Sequence, residues 1–341
     1  MSPPPAHPAA VRAAFTLLEL LVSMTVLLLL IVAVGQIVSG TTRVTTGNRQ
    51  HLDADSQARL VFDRMTLDLG RMLKRQDVDY IFKDATTLPQ VGNDSFFFYS
   101  EAPAYFDTSG AAAPGPSAQS SLALLGYRVN GMNQAPAFEL ARLSKGLTWD
   151  ESGGATPGSI VYLSPSSTPS ASATPAPSLA STLAGHWPTT IGTAANGYTD
   201  GVDVSYHVIA DQVCRMEICF LLKPVAATAT AAAQPAVYSI NPYLGIPGHQ
   251  SVNGLQDVRA IVVALGVLDR TSRQITPDLS HLATALPDIT AANLSASPRV
   301  LMADLWQAEI DSGNLARDAQ IPPAAAAQVR VYQRHFYLET N

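Results

Sequence analysis

The sequence predicts an α+β fold: a long N-terminal helix that spans a membrane at its start and packs at its end on a mostly antiparallel β-sheet head. Three observations predict it. From Leu20 to Thr42 there is no Asp, Glu, Lys or Arg, and Leu27 to Val34 is wholly aliphatic. From Asp53 to Arg75 apolar residues recur at three- and four-residue steps. Beyond that, β-branched and aromatic runs alternate with Gly, Pro and Asn turn signals to the end of the chain.

The apolar run comes first. Roughly 20 apolar residues in a helix cover the ~30 Å hydrocarbon core of a bilayer, so this one is long enough to span. Glu19 is its odd member, a lone carboxylate just inside the run and four residues after Phe15. An ionised group there costs about 2.5–3.5 kcal/mol on insertion scales unless it lies near the interface or has a partner. A secretory signal peptide would have a shorter apolar region followed by a small-residue cleavage site, and Val34 to Gly40 is not a clear one. A plain single-span anchor would need no acid at Glu19. Charge gives little on orientation, with Arg12 before the run and Arg43 and Arg49 after it.

Polar residues from Thr41 to Gln50 can continue the helix, with Gly47 as a weak point. In the next stretch Ala58, Val61, Phe62, Met65, Leu69, Met72 and Leu73 form a core-facing stripe. Arg59 with Asp63, and Arg64 with Asp68, have the i,i+4 spacing of exposed ion pairs. The expected strands are Ser95–Tyr99, Leu122–Val129, Phe138–Leu143, Ser159–Leu163, Val202–Ile209, Val213–Leu222 and Val258–Leu268, with a last one over Gln328–Leu338. Asn130-Gly131 reads as a turn. A short helix is expected from Pro298 to about Ile310, capped by Ser297. Segments rich in Ser, Pro and Ala, at about 111–120, 164–182 and 224–236, read as disordered loops. The Ser/Thr cluster in the second is either unconstrained surface or a site of O-glycosylation.

Ala14-Phe15-Thr16-Leu17-Leu18-Glu19 resembles the cleavage and methylation signature of type IV pilins and type II secretion pseudopilins, a small residue and then Phe-Thr-Leu-x-Glu before the apolar run. The resemblance implies a leader over residues 1–14, a transmembrane and assembly helix over 15–42, an amphipathic continuation over 43–75 and a head over 76–341. It implies cleavage by a prepilin peptidase between Ala14 and Phe15 and N-methylation of Phe15. Glu19 would pair with the Phe15 amine of a neighbouring subunit. Ala14 stands where Gly is commonest, and Arg12 is the leader's single basic residue; both depart from the pattern. Arg59 to Arg71, Tyr127-Arg128 and Ala141-Arg142 are similar to features of the large minor pseudopilins of the J type. Val329 to Leu338 and Asp77 to Tyr80 resemble parts of the pilin-like proteins of Verru_Chthon cassettes. Partners implied are a prepilin peptidase, other pilin or pseudopilin subunits and an inner-membrane assembly platform, with the head in the periplasm or on a surface filament.

Composition narrows the rest. The chain of 341 residues holds a long helix and one large or two small globular units. A net charge of −6 with no basic run speaks against nucleic acid as a partner. Neither a phosphate-binding loop, a nucleophile elbow nor an H-E-x-x-H zinc motif is present, and the seven histidines lack metal-ligand spacing. No cofactor and no catalytic residue is expected. Asn196, Asp200 and Asp203 are weak calcium candidates, a solvated turn being the plainer reading. Cys214 and Cys219, five apart on an expected strand, point to opposite faces and read as small buried residues, not a disulfide. The competing class is a single-span, membrane-anchored periplasmic binding protein or enzyme outside any filament.

Overall fold

The protein is represented by a computed structural model, which describes residues 17–74, 80–82, 92–107, 117–130, 138–146, 206–227, 232–240, 242, 254–276 and 278–338. The expected strand over Ser159–Leu163, the loop over 164–182 and the start of the strand from Val202 lie outside these residues. The chain divides into two compact units, Met1–Leu52 and Asp53–Asn341. Helix α1 runs unbroken over Leu17–Gly70. Antiparallel sheets follow it, so the fold is the α+β arrangement expected.

In the second unit, α1 buries Ala54, Ala58, Val61, Phe62, Met65 and Leu69, with Met72 just beyond. This is the stripe the spacing predicts. The helix ends at Gly70, five residues before the expected boundary at Arg75. There the backbone is taken up by a sheet: Leu73 N donates to Tyr99 O (2.9 Å) and Glu101 N to Arg71 O (3.0 Å). Gly70, a poor helix former, sits where that competition begins.

One sheet has five strands in the order β1 (Ile81–Phe82), β2 (Phe96–Ser100), β5 (Ala123–Val129), β6 (Leu140–Gly146) and β7 (Tyr206–Ala210). A second has the order β11 (Arg330–Tyr337), β10 (Val258–Val267), β8 (Val213–Leu222) and β9 (Tyr238–Ser239). A hairpin of β3 (Ala104–Asp107) and β4 (Ser117–Ser120) makes a third. Every pairing is antiparallel. The loop expected over 111–120 is therefore shorter, because Ser117–Ser120 pairs with β3. The β5–β6 hairpin closes by Asn130 N to Glu139 O and Phe138 N to Asn130 O, both 2.9 Å. Ladder bonding resumes only at Phe138, so the connection is longer than a two-residue Asn-Gly turn.

The inner strands of the second sheet, β8 and β10, are buried on both faces. Met216, Ile218 and Phe220 of β8 and Ile261, Val263 and Leu265 of β10 join the α1 stripe and β2, β5 and β6 in one core. Cys219, Val262 and Ala264 face a second core made with the helices between β10 and β11. Two-sided burial is why Ile261 to Leu265 reads as a continuous apolar run with no alternation.

Those helices are α2 (Arg270–Ile275), α3 (Ser280–Ala285), α4 (Ala291–Ser295), α5 (Met302–Asp311), α6 (Leu315–Asp318) and α7 (Pro323–Ala326). Only α5 was expected, and it starts four residues later than predicted. Its first donors are met by Asp304, whose carboxylate accepts from Leu301 N (3.2 Å), and by Gln333, which accepts from Ala303 N (3.1 Å). Ser297 therefore does not cap it. The others run four to six residues, too short for a 3.6-residue period to register.

The cysteines also depart from expectation. Opposite Gly266 and Val267, the partners on β8 are Arg215 and Val213, so Cys214 is an extra residue in a β-bulge. The bulge reverses the alternation, and both thiols face the second core. Five residues of strand still separate them by about 16 Å, far beyond disulfide reach. Neither is in a disulfide, and both are buried. Burial pushes the Cys214 thiol up to about 12.

Gly126 on β5 pairs with Phe97 on β2, and a Cβ there would lie 2.0 Å from the Phe97 ring. Phe97 is fully buried. Gly126→Ala is expected to destabilise the head by about 1–3 kcal/mol through overpacking. A urea midpoint unchanged from the parent chain would contradict that.

Candidate functional site

The first unit carries the candidate site. Leu17–Val38, 22 residues, is apolar and wholly unburied. At 1.5 Å per residue it covers about 33 Å, the thickness of a hydrocarbon core. A helix apolar on all sides belongs in a membrane or inside an assembly. Its hydroxyls are already turned inward: Ser23 Oγ donates to Leu20 O (2.9 Å) and Thr25 Oγ1 to Val22 O (2.8 Å). Both can therefore enter an apolar environment without an unmet donor.

Glu19 lies in the first turn of α1, the one acid there, and is exposed. A carboxylate near a helix N-terminus is favoured by the helix dipole and by the unpaired N–H groups of the first turn. Ala14 and Phe15 lie outside the described residues, as do Asn196, Asp200 and Asp203. Among the described residues, no group of three or more His, Cys, Asp or Glu side chains could hold a metal ion.

Within the second unit, aspartates of α1 hold the helix to the head. Asp53 accepts from Gln212 Nε2 (2.7 Å). Asp55 accepts a short bond from the Tyr332 hydroxyl, and Asp63 pairs with Arg334 Nη1 (2.8 Å). Asp68 is the buried member. Its Oδ2 takes Arg142 Nε (2.6 Å) and a short bond from the Tyr127 hydroxyl, and its Oδ1 takes Arg142 Nη2 (3.1 Å). Arg64 Nη2 is 3.4 Å from Oδ1. The i,i+4 contact expected of Arg64 and Asp68 thus exists, but Asp68 faces inward: position 68 falls on the Val61, Met65, Met72 stripe.

The electrostatics of this cluster follow from burial. Desolvation first, then the Asp68 charge and hydrogen bond, raises the Tyr127 phenol well above its ordinary range, so it remains the donor. Burial opposes the charge on Arg142, but the bond to Asp68 and its charge outweigh that and raise the guanidinium. At the helix's other contact, burial and the bond to Asp55 raise the Tyr332 phenol.

Sequence reasoning missed a second buried charge, Arg215 on β8, which is fully buried. Its Nη2 donates to Glu217 Oε2 (2.6 Å) and makes a short bond to Asp288. Glu217 Oε1 accepts from Ile289 N (3.1 Å), and Trp306 Nε1 donates to Pro287 O (2.9 Å). These bonds fix residues 287–289 over β8. The alternation of Arg215 and Glu217 with Met216 and Ile218 has the pattern of a solvated face, so the burial of the pair leaves no mark in the sequence.

No family model matches the chain and no curated protein matches it. Among solved structures it is similar to a type IV-like pilin from Thermus thermophilus, at 12% identity and a TM-score of 0.26, over 85% of this chain and 96% of that one.

Proposed function

We propose that the chain is a minor pilin-like or pseudopilin subunit. A prepilin peptidase cuts between Ala14 and Phe15 and the new Phe15 amine is methylated. The subunit then leaves the inner membrane through an assembly platform and enters a type IV pilus-like or type II secretion pseudopilus filament by its N-terminal helix. The mechanism is packing, not catalysis: burying Leu17–Val38 against neighbouring helices offsets its extraction from lipid, and a Glu19–Phe15 pair sets the register. The observation that carries this is a 22-residue apolar helix with a carboxylate at Glu19, close to its start. A plain anchor has no use for a charge at that position, whereas a pairing partner on a neighbouring subunit would give it one. The head over 76–341, 266 residues, lies above the usual domain size and would crowd a close-packed filament, so it belongs at a tip or in low copy number.

Mass spectrometry of the mature N-terminus tests the reading. Peptides beginning with N-methyl-Phe15 are expected. An intact Met1, or a cut near Ser39, would favour a membrane-anchored periplasmic binding protein or enzyme.

A further inference from the structure

The second core stops short of one end of the four-stranded sheet. Val262 and Ala264 of β10 are fully buried in it, whereas on the same face Tyr337 at the end of β11 is 62% exposed. His335 of β11 and Tyr238 of β9 are half-buried there.

A row of contacting side chains crosses this end. Arg299, in the link between α4 and α5, lies over the Tyr238 ring at 4.8 Å. The Tyr238 hydroxyl and His335 Nε2 share a hydrogen bond of 3.0 Å, and their rings stand edge to face at 5.9 Å. His335 stacks on Tyr337 at 6.3 Å, and Arg259 lies over the Tyr337 ring at 6.0 Å. β9 and β11 are the outer strands, with β8 and β10 between them. Three inter-strand spacings, about 14 Å, separate them, so the row is an extended surface and not a pocket.

Its charge is one-sided. Burial pulls the His335 imidazole below its usual value, which leaves Arg259 and Arg299 as the cations of the row. Arg142, Arg215, Arg317 and Arg334 each meet a carboxylate. Arg259 and Arg299 are exposed and meet none among the described residues. Beyond its ring contact, Arg299 Nε donates to Leu294 O (3.1 Å). A guanidinium over a ring face is held in place while its in-plane N–H groups stay available, and its fork matches a carboxylate. In a chain of net charge −6 this is a local exception.

The rings narrow the choice of anion. A sugar ring has an apolar C–H face that fits an aromatic face, and its hydroxyls stay in water, which suits a surface this open. An acidic peptide would leave the rings unused, since its recognition rests on pockets or a strand edge. We propose that the row binds an acidic saccharide, with a sugar ring against Tyr337 and carboxylates at the forks of Arg259 and Arg299. This goes beyond the assembly role of α1 and stands or falls independently of it.

The test is isothermal titration of the full chain in detergent with trigalacturonate, neutral maltotriose, hexaglutamate and an oligothymidylate. Trigalacturonate is expected to bind at least about tenfold more tightly than each of the other three. Monomeric galacturonate, which reaches one arginine at a time, is expected to bind at least about tenfold more weakly than the trimer. Arg259→Gln and Tyr337→Thr are each expected to weaken trigalacturonate binding at least about tenfold. Arg59→Gln, which removes an exposed charge from α1, is expected to bind like the parent. Thermal melts establish that the three variants fold. No heat with trigalacturonate, a monomer that binds as well as the trimer, or equal losses in Arg259→Gln and Arg59→Gln would overturn the proposal. Maltotriose as tight as trigalacturonate would overturn the role of the arginines. Hexaglutamate or oligothymidylate as the tighter ligand would overturn it too, by naming an acidic peptide or a nucleic acid as the occupant.

Discussion

Glu19→Ala is expected to leave cleavage before Phe15 largely intact and to abolish incorporation of the chain into filaments. In the proposed reading the two outcomes separate, because the peptidase would act at the Ala14–Phe15 bond and the carboxylate only once helices pack together. In that packed, apolar setting a Phe15 amine freed by the proposed cleavage would carry a positive charge, with the neighbour's Glu19 as its proposed counter-ion. Removing one partner of a buried ion pair costs about 3–5 kcal/mol, since the other is left desolvated and unmet. That corresponds to about 10²–10⁴-fold in an assembly equilibrium. Glu19→Gln keeps hydrogen-bonding capacity without the charge and is expected to recover only part of the loss. The comparison is made on sheared filaments and membrane fractions from the same cells, probed for the chain. Incorporation of Glu19→Ala at the parent level would remove the pairing argument, while a normal N-methyl-Phe15 in that variant would keep the processing argument.

Much of the fold was legible because long elements follow simple periods. The 3.6-residue stripe from Ala58 to Met72 and the continuous aliphatic run in β10 each left a mark that packing later used. Glu19 stands out in the sequence for the opposite reason, as a charge in an apolar run. What escaped was set by contacts between residues far apart in sequence. Asp68 carries the spacing of an exposed ion pair with Arg64, yet its partners come from β5 and β6, and only the sheet brings Tyr127 and Arg142 to it. Cys214 and Cys219 obey strand alternation on paper, and a single bulged residue reverses it. The short helices between β10 and β11 derive from local caps, such as Asp269 accepting from Thr271 N and Ser272 N, and from burial of isolated apolar residues. Segments of four to six residues hold too few positions for such a pattern to be seen.

The largest loss of head stability is expected from Asp68→Ala. Asp68 and Arg142 are both buried, and Tyr127 is fully so. Without the carboxylate, Arg142 keeps its charge in a buried position and loses two hydrogen bonds at 2.6 and 3.1 Å. The expected cost is about 3–5 kcal/mol, a large share of the ~5–15 kcal/mol that stabilises a typical domain. Tyr127→Phe removes one donor and leaves the ion pair, so about 1–2 kcal/mol is expected. The double change Asp68→Leu with Arg142→Met removes both charges and is expected to recover most of the Asp68→Ala loss, because apolar replacements of a buried pair are often neutral. Tyr127 also predicts an alkaline limit. Its folded pKa is raised, so its contribution is complete below the unfolded tyrosine value near pH 10 and declines as pH rises beyond it. Tyr127→Phe should flatten that decline. Urea unfolding of the full chain in detergent, followed by tryptophan fluorescence from buried Trp306, measures all four. A parent-like midpoint for Asp68→Ala would mean that the apolar stripe alone holds α1 to the sheets. In that case Asp68 would contribute to the register of the helix and not to its attachment.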